Sequence, residues 1–321
     1  MATYAIYKIL FEVDPQKNLI SLEDGNTAFD KAQDILEGML EGSLPVYKKV
    51  KNGESIMLQC AVEKKMNGVT LMQLCDEKEM KYKEGHEDVE ITAHPGCYVI
   101  VDNRPGVLQM VVEHVAASFE GKTDKVRDLI EETLNSLFEE YGLTVIINQK
   151  WHPGDFWEAI EEQSVRHNDT IRKVVFDFPN PERVGPIDPP NDLAHQKLIL
   201  LNTLTQATNA AKGSLSLVSD KEKAMRLERT QEDIAGMVAL CSNNGYDITV
   251  MFENYGKYRK GNNINAFEVL DDAVIEEFRN GQRSIEGVDG NFLLIQWLDD
   301  IREQTKDYNH EKIASKRKKV R

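Results

Sequence analysis

Hydrophobic and polar positions along the chain change period several times, and each change marks a predicted element. YAIYKILFEV near the start reads as a strand, and TAFDKAQDILEGML after it has the spacing of a helix. SIMLQCAVEKKM and VTLMQLCDEKEM then alternate, joined by Asn67-Gly68, a dipeptide that favours the type I′ turn of a two-residue hairpin. With those two residues as the loop, Cys60 is expected directly across from Cys75, Cα atoms about 5.5 Å apart in a hydrogen-bonded pair. CYVIVD and VLQMVVE predict a second hairpin around NRPG. Residues 123–141 give the clearest helix. Val126, Leu129, Ile130, Leu134, Leu137, Phe138 and Tyr141 fall on one stripe, with Thr123 expected as cap and Gly142 as stop. A strand LTVIIN, a helix from DFWEAIEEQ and a strand KVVFDF follow.

Pro179, Pro181, Pro186, Pro189 and Pro190 are half of the 10 prolines, and they fall close together. Such a segment neither propagates a helix nor donates to a sheet ladder, so an extended linker is expected over 179–190. It divides the chain into a strand-rich lobe over 1–178 and a second lobe over 191–311, ahead of a basic tail at 312–321. The second lobe reads as a long helix over 192–211, a strand SLSLV, a helix over 221–240, strands DITVMFE and NINAFEVL, and two closing helices. Helices mixed with mainly antiparallel strands define an α+β fold.

Composition narrows the setting. The formal charge of −15 opposes general coating by nucleic acid, so any such contact has to be local. Lys8 and Glu12 interrupt the first apolar stretch, which does not read as a signal peptide, and no run reaches the ~20 apolar residues of a membrane span. Four cysteines without CxxC spacing fit reduced thiols and a cytoplasmic location.

Candidate chemistry is sparse. The triplet HPG occurs at His94 and at His152, but the first lies between strands and the second opens a helix that Asp155 is placed to cap, so the two read as unrelated turns. If NRPG is the whole loop of its hairpin, Gly96 faces Glu113 and His94 lies diagonal to that carboxylate at about 7–8 Å. His94 and Glu113 are therefore the candidates for a metal-dependent nuclease or hydrolase. Glu63-Lys64-Lys65 has the letters of a nuclease motif, yet Asp76, expected opposite Gln59, stands about 13 Å away along the strands. Phosphate-binding glycine loops, nucleophile elbows and zinc signatures are missing, and no cofactor is expected.

Two cationic stretches stand out against the acidic body. ENYGKYRKGNN interleaves Tyr255 and Tyr258 with Lys257, Arg259 and Lys260, and the tail gathers Lys312, Lys316, Arg317, Lys318, Lys319 and Arg321. Cations beside aromatic faces suit a single-stranded nucleic acid or an acidic partner. Glu131, Glu132, Glu139, Glu140, Glu158, Glu161 and Glu162 form an acidic counterpart on two helices. The expectation is a non-enzymatic binding or regulatory protein that contacts nucleic acid or a nucleoprotein through the two basic stretches. The first lobe would mediate protein association or self-association. A bacterial or phage defence setting is expected on general grounds rather than from residues. The alternatives are the hydrolase at His94 and Glu113, and a homo-oligomeric structural protein. Without a converging set of reactive groups, an acidic body works by contact; polar groups gathered from distant segments in a cleft would argue otherwise.

Overall fold

The computed structural model describes residues 2–13, 26–49, 53–84, 87–151, 153–179, 199–200, 203–205, 207–208, 210, 212–220, 223–259, 267–281 and 290–307. The fold is α+β, and every strand pairing with a described register is antiparallel. The chain divides into two compact units, residues 1–147 with 267–297, and residues 148–266 with 298–321. This differs from the division expected at the prolines. The strands on either side of that segment, Ile171–Pro179 (β11) and Lys212–Val218 (β12), pair from Lys173 opposite Val218 to Pro179 opposite Lys212, so the segment joins neighbouring strands of one sheet. Of the expected linker only Pro179 is described, and the tail lies outside the described residues.

The first unit is built on a seven-stranded sheet. Its strands are Ala2–Val13 (β1), Cys60–Met66 (β4), Val69–Cys75 (β5), Gly96–Asp102 (β8), Gln109–Glu113 (β9), Leu143–Gln149 (β10) and Phe267–Leu270 (β15). Their order is β10-β1-β9-β8-β5-β4, with β15 also on β1. Tyr47–Lys49 (β2) pairs with Ser55–Met57 (β3), and Lys78–Glu84 (β6) with Glu87–Ala93 (β7), as separate ribbons. Tyr7, Ile9, Phe11, Met72, Val99 and Val112 on one sheet face share a core with the helices Ala32–Met39 (α1) and Thr123–Phe138 (α2). The stripe of α2 packs as expected: Val126, Ile130, Leu134 and Phe138 are buried, and Leu129, Leu137 and Tyr141 pack beside them. The rings of Phe11 and Phe138 lie 5.0 Å apart. Thr123, however, does not cap. It is the first helical residue, and its hydroxyl accepts a 3.0 Å hydrogen bond from Tyr7.

Asn67 and Gly68 both have positive φ, as a type I′ turn requires. Beside the turn Met66 faces Val69, but a register shift between Val62 and Lys64 sets Cys60 opposite Leu74 rather than Cys75. One extra residue on one strand of a pair displaces every later partner by one. Polar contacts hold α1 to the loop after β8. Asn103 donates to the Gln33 carbonyl at 2.9 Å and to Glu37 at 2.8 Å, and Gln33 donates back to the Arg104 carbonyl at 3.2 Å.

The second unit contains a four-stranded sheet in the order β12-β11-β13-β14, where β13 is Ile248–Phe252 and β14 is Lys257–Arg259. One face carries Val174, Phe176, Phe178, Ile248, Val250 and Phe252, all buried. The helix Glu232–Asn244 (α4), buried from Ala235 through Ser242, packs against β11. The helix Pro153–Glu161 (α3) begins at its proline, which puts Asp155 inside the first turn rather than at the expected cap. Of the helix expected over 192–211, residues 199–200, 203–205 and 207–208 are described and helical. Of the two helices expected to close the second lobe, Asp272–Asn280 (α5), capped by Asp271, belongs to the first unit, and Gly290–Asp307 (α6) begins in the first unit and ends in the second.

Gly245 ends α4 at φ +68, where a Cβ would lie 2.5 Å from Asn148 Cβ and 2.8 Å from the Gln149 carbonyl oxygen. Gly256 has φ +88 with open space around it. Gly256→Ala is therefore expected to cost about 1 kcal/mol from backbone strain alone. Gly245→Ala, which adds a backbone clash, should cost more than about 2 kcal/mol. Urea denaturation midpoints of the two variants provide the measurement; equal midpoints would contradict this packing.

Candidate functional site

His94 and Glu113 are not brought together. The second hairpin pairs Val99 with Val112 and Asp102 with Gln109, so its loop runs from Asn103 to Leu108 and exceeds NRPG by two residues. The register shifts by the same amount. Continued past Val99, the ladder sets Glu113 at Tyr98, whose amide donates to the Glu113 carboxylate at 2.9 Å. His94, four residues earlier, lies before β8 begins at Gly96, and it is exposed. Glu113 also faces Tyr4 across β1. Burial raises its pKa, the Tyr98 amide opposes that rise, and Asp272 adds to it.

The remaining acids of the nuclease motif are engaged separately. Glu63 pairs with Arg279 at 3.0 Å, and Asp76 accepts the ammonium of Lys48. Among the described residues no group of three or more His, Cys, Asp or Glu is arranged to hold a metal ion. The thiols are poor nucleophiles at neutral pH, since burial pushes Cys60 up to about 11 and Cys97 up to about 12. Part of the acidic counterpart is also occupied: Glu131 accepts from the Ile147 amide, Glu132 pairs with Lys49, and Glu162 pairs with Arg166.

The basic segment of the second unit begins in the turn after β13 and runs onto β14. Pairing Val250 with Tyr258 places that tyrosine on the buried face of the sheet. Its ring lies 6.3 Å from Phe156, and burial raises the phenol's pKa, with Asp155 contributing. Tyr258 is thus half-buried on the core side of the sheet rather than presented beside the cations. Lys257 and the Arg259 position share the opposite face with Met251 and Thr249. Tyr255 remains in the turn, 58% exposed, with its ring edge-on to Phe252 at 6.1 Å. Lys260 and the tail residues Lys312, Lys316, Arg317, Lys318, Lys319 and Arg321 lie outside the described residues.

Pairing across the four strands extends this face into a surface. One row reads Val218, Lys173, Met251, Lys257, and the next reads Ser216, Val175, Thr249 and position 259. Val218 is 69% and Met251 43% exposed, so the face is open where the opposite one is closed. Asp177 on it accepts the hydroxyl of Ser214 at 2.6 Å, and its amide donates to the carbonyl of Asp247, which stands opposite it just ahead of β13. Four strands at about 4.8 Å spacing give a platform about 14 Å wide, with cations set among apolar side chains. Sequence reading missed Lys173, Met251 and Val218. Their alternation is visible in KVVFDF and TVMFE, but which strands lie side by side is not.

Asp169 fixes the turn that carries Tyr255. It is buried, and its carboxylate accepts the amides of Tyr255 at 2.7 Å and Asn254 at 3.1 Å, together with the Asn254 side-chain amide. Burial pulls its pKa upward, but the amides of Tyr255, Asn254 and Thr170 outweigh that and hold it below the usual Asp value. No protein-family model matches the chain, and no curated protein or solved structure matches it.

A depressed folded pKa gives stability that is complete above the ordinary Asp pKa of about 3.9 and is lost as pH falls through the lower folded value. Asp169→Ala is accordingly expected to lower the denaturation midpoint at pH 7, with the gap from the unsubstituted protein narrowing toward pH 3. A gap that does not depend on pH would show that the carboxylate's charge is not what holds the turn.

Proposed function

We propose that the protein acts by contact, and that the open face of its second sheet engages a nucleic acid or a nucleoprotein partner. The observation that carries this reading is the placement of Lys173, Lys257 and the Arg259 position on one exposed sheet face among Met251, Val175 and Val218, in a chain of net charge −15. Cations set between apolar side chains match the two components of a single strand, phosphates and flat bases. Tyr255, exposed in the adjoining turn, adds a stacking surface. The buried thiols and the separation of His94 from Glu113 support contact over chemistry. The tail, with its six cations, is a second proposed point of contact.

Binding of a fluorescently labelled single-stranded oligonucleotide, followed by anisotropy across a salt series, tests the proposal. Lys173→Glu with Lys257→Glu should weaken affinity at least about tenfold and flatten the log–log salt slope by about 1.4, given roughly 0.7 per phosphate contact on a single strand. Removal of residues 312–321 should lower the slope further and independently. Affinity and slope unchanged in the double variant would overturn the assignment to this face.

A further inference from the structure

The first unit contains a cleft of about 400 Å³ into which polar side chains from three distant segments converge. Lys48 and Lys49 enter it from β2, Lys78 from the start of β6, and Lys125 from α2, with Phe119 and Leu129 supplying its apolar lining. Asp76, Glu120, Asp128 and Glu132 line it as well, and Asp128 is paired with Arg127 at 2.7 Å. Two of the ammonium groups are fixed by hydrogen bonds. Lys48 donates to Asp76, a 2% exposed carboxylate that also accepts the Phe119 amide at 3.1 Å and the Glu77 amide at 2.9 Å. Lys78 donates to the carbonyl of Ala117. An ammonium has three donors, so each keeps hydrogen-bonding capacity toward the cleft.

The other two cations are held loosely. Lys125 pairs with Glu120 at 2.8 Å and Lys49 with Glu132 at 3.0 Å, in both cases between exposed side chains. Pairs of that kind are worth about 0–1 kcal/mol, so a stronger anion displaces the carboxylate at little cost. Glu120 and its neighbour are also held in an uncommon conformation. Phe119 and Glu120 are consecutive non-glycine residues at φ +46 and +58, and the Asp76 bond to the Phe119 amide anchors the turn. Strain of this sort persists where surrounding contacts over-determine it, and it clusters at ligand sites.

We propose that this cleft binds a phosphoryl group, with Lys48 and Lys78 as pre-set donors and Lys49 and Lys125 recruited from their carboxylates as the dianion enters. A compact doubly charged group competes for these ammoniums more strongly than the single carboxylates of Glu120 and Glu132 that now hold two of them. The group belongs to free phosphate or to a phosphorylated small molecule.

Isothermal titration with inorganic phosphate and, separately, with adenosine monophosphate tests the site. One saturable site is expected, and the tighter of the two probes identifies the source of the group. Lys78→Gln and Lys125→Gln should each weaken binding about tenfold, the loss of one charge-assisted hydrogen bond. Glu120→Gln should tighten it about two- to fivefold, because the competing carboxylate is gone. That inversion of sign separates ligand contact from a structural role, which would weaken binding or leave it unmoved. Lys48 is left in place, since its removal strands a buried Asp76. Absence of saturable binding by either probe up to about 20 mM, well above millimolar affinity, or affinities indifferent to all three substitutions, would overturn the proposal.

Discussion

Tyr4 through Phe11 of β1 are buried without interruption, and the first unit depends on that strand having two covered faces. Tyr7, Ile9 and Phe11 face the core shared with α1 and α2, whereas Tyr4 on the other face packs edge-on against Trp297 at 5.6 Å. Burying one large apolar side chain is worth about 1.5–3 kcal/mol, so a run of this length contributes substantially to the unit's favourable energy. Lys8 lies inside the same run and is tolerated because its ammonium donates to the Val107 carbonyl at 2.6 Å. The strands that flank β1 come from widely separated parts of the sequence. The unit therefore assembles around contacts that no local segment completes.

The second unit follows the opposite rule. Its sheet closes one face with phenylalanines and branched aliphatics under α4 and leaves the other to solvent. Alternation then divides neighbouring residues between unlike roles. Tyr258 turns to the core side while Lys257 turns to the surface, although the two are adjacent. Asp169 adds a fixed turn at the sheet's end by holding amides that no ladder partner takes.

The cleft of the first unit and the sheet face of the second use lysine differently. On the sheet, cations are spaced by strand separation and suit an extended polyanion. In the cleft, Lys48 and Lys78 are drawn inward by Asp76 and the Ala117 carbonyl and suit a compact one. The cleft does gather polar groups from distant segments, which a purely contact-based reading of the sequence does not expect. Its polar lining is ammonium and carboxylate, with Phe119 and Leu129 between them.

Local periodicity was enough to determine many of the elements, although the helix expected over 221–240 instead spans Glu232–Asn244 and the ribbon of β6 with β7 was not expected. The stripe of α2, the Asn67-Gly68 turn, the Gly142 stop and the α+β class all follow from spacing and from the preferences of single residues. Register was not determined, because it depends on where a ladder gains or loses one residue. A shift near Glu63 moved Cys60 away from Cys75, and two further loop residues moved Glu113 away from His94. Neighbourhood was still less legible. The pairing of β11 with both β12 and β13 places Lys173 beside Met251, and the meeting of β2, β6 and α2 places Lys48 beside Lys78 and Lys125. Side-chain direction is a local property of the backbone, so sequence carries it; which faces meet is settled by burial summed over the whole chain, and that only the folded structure decides.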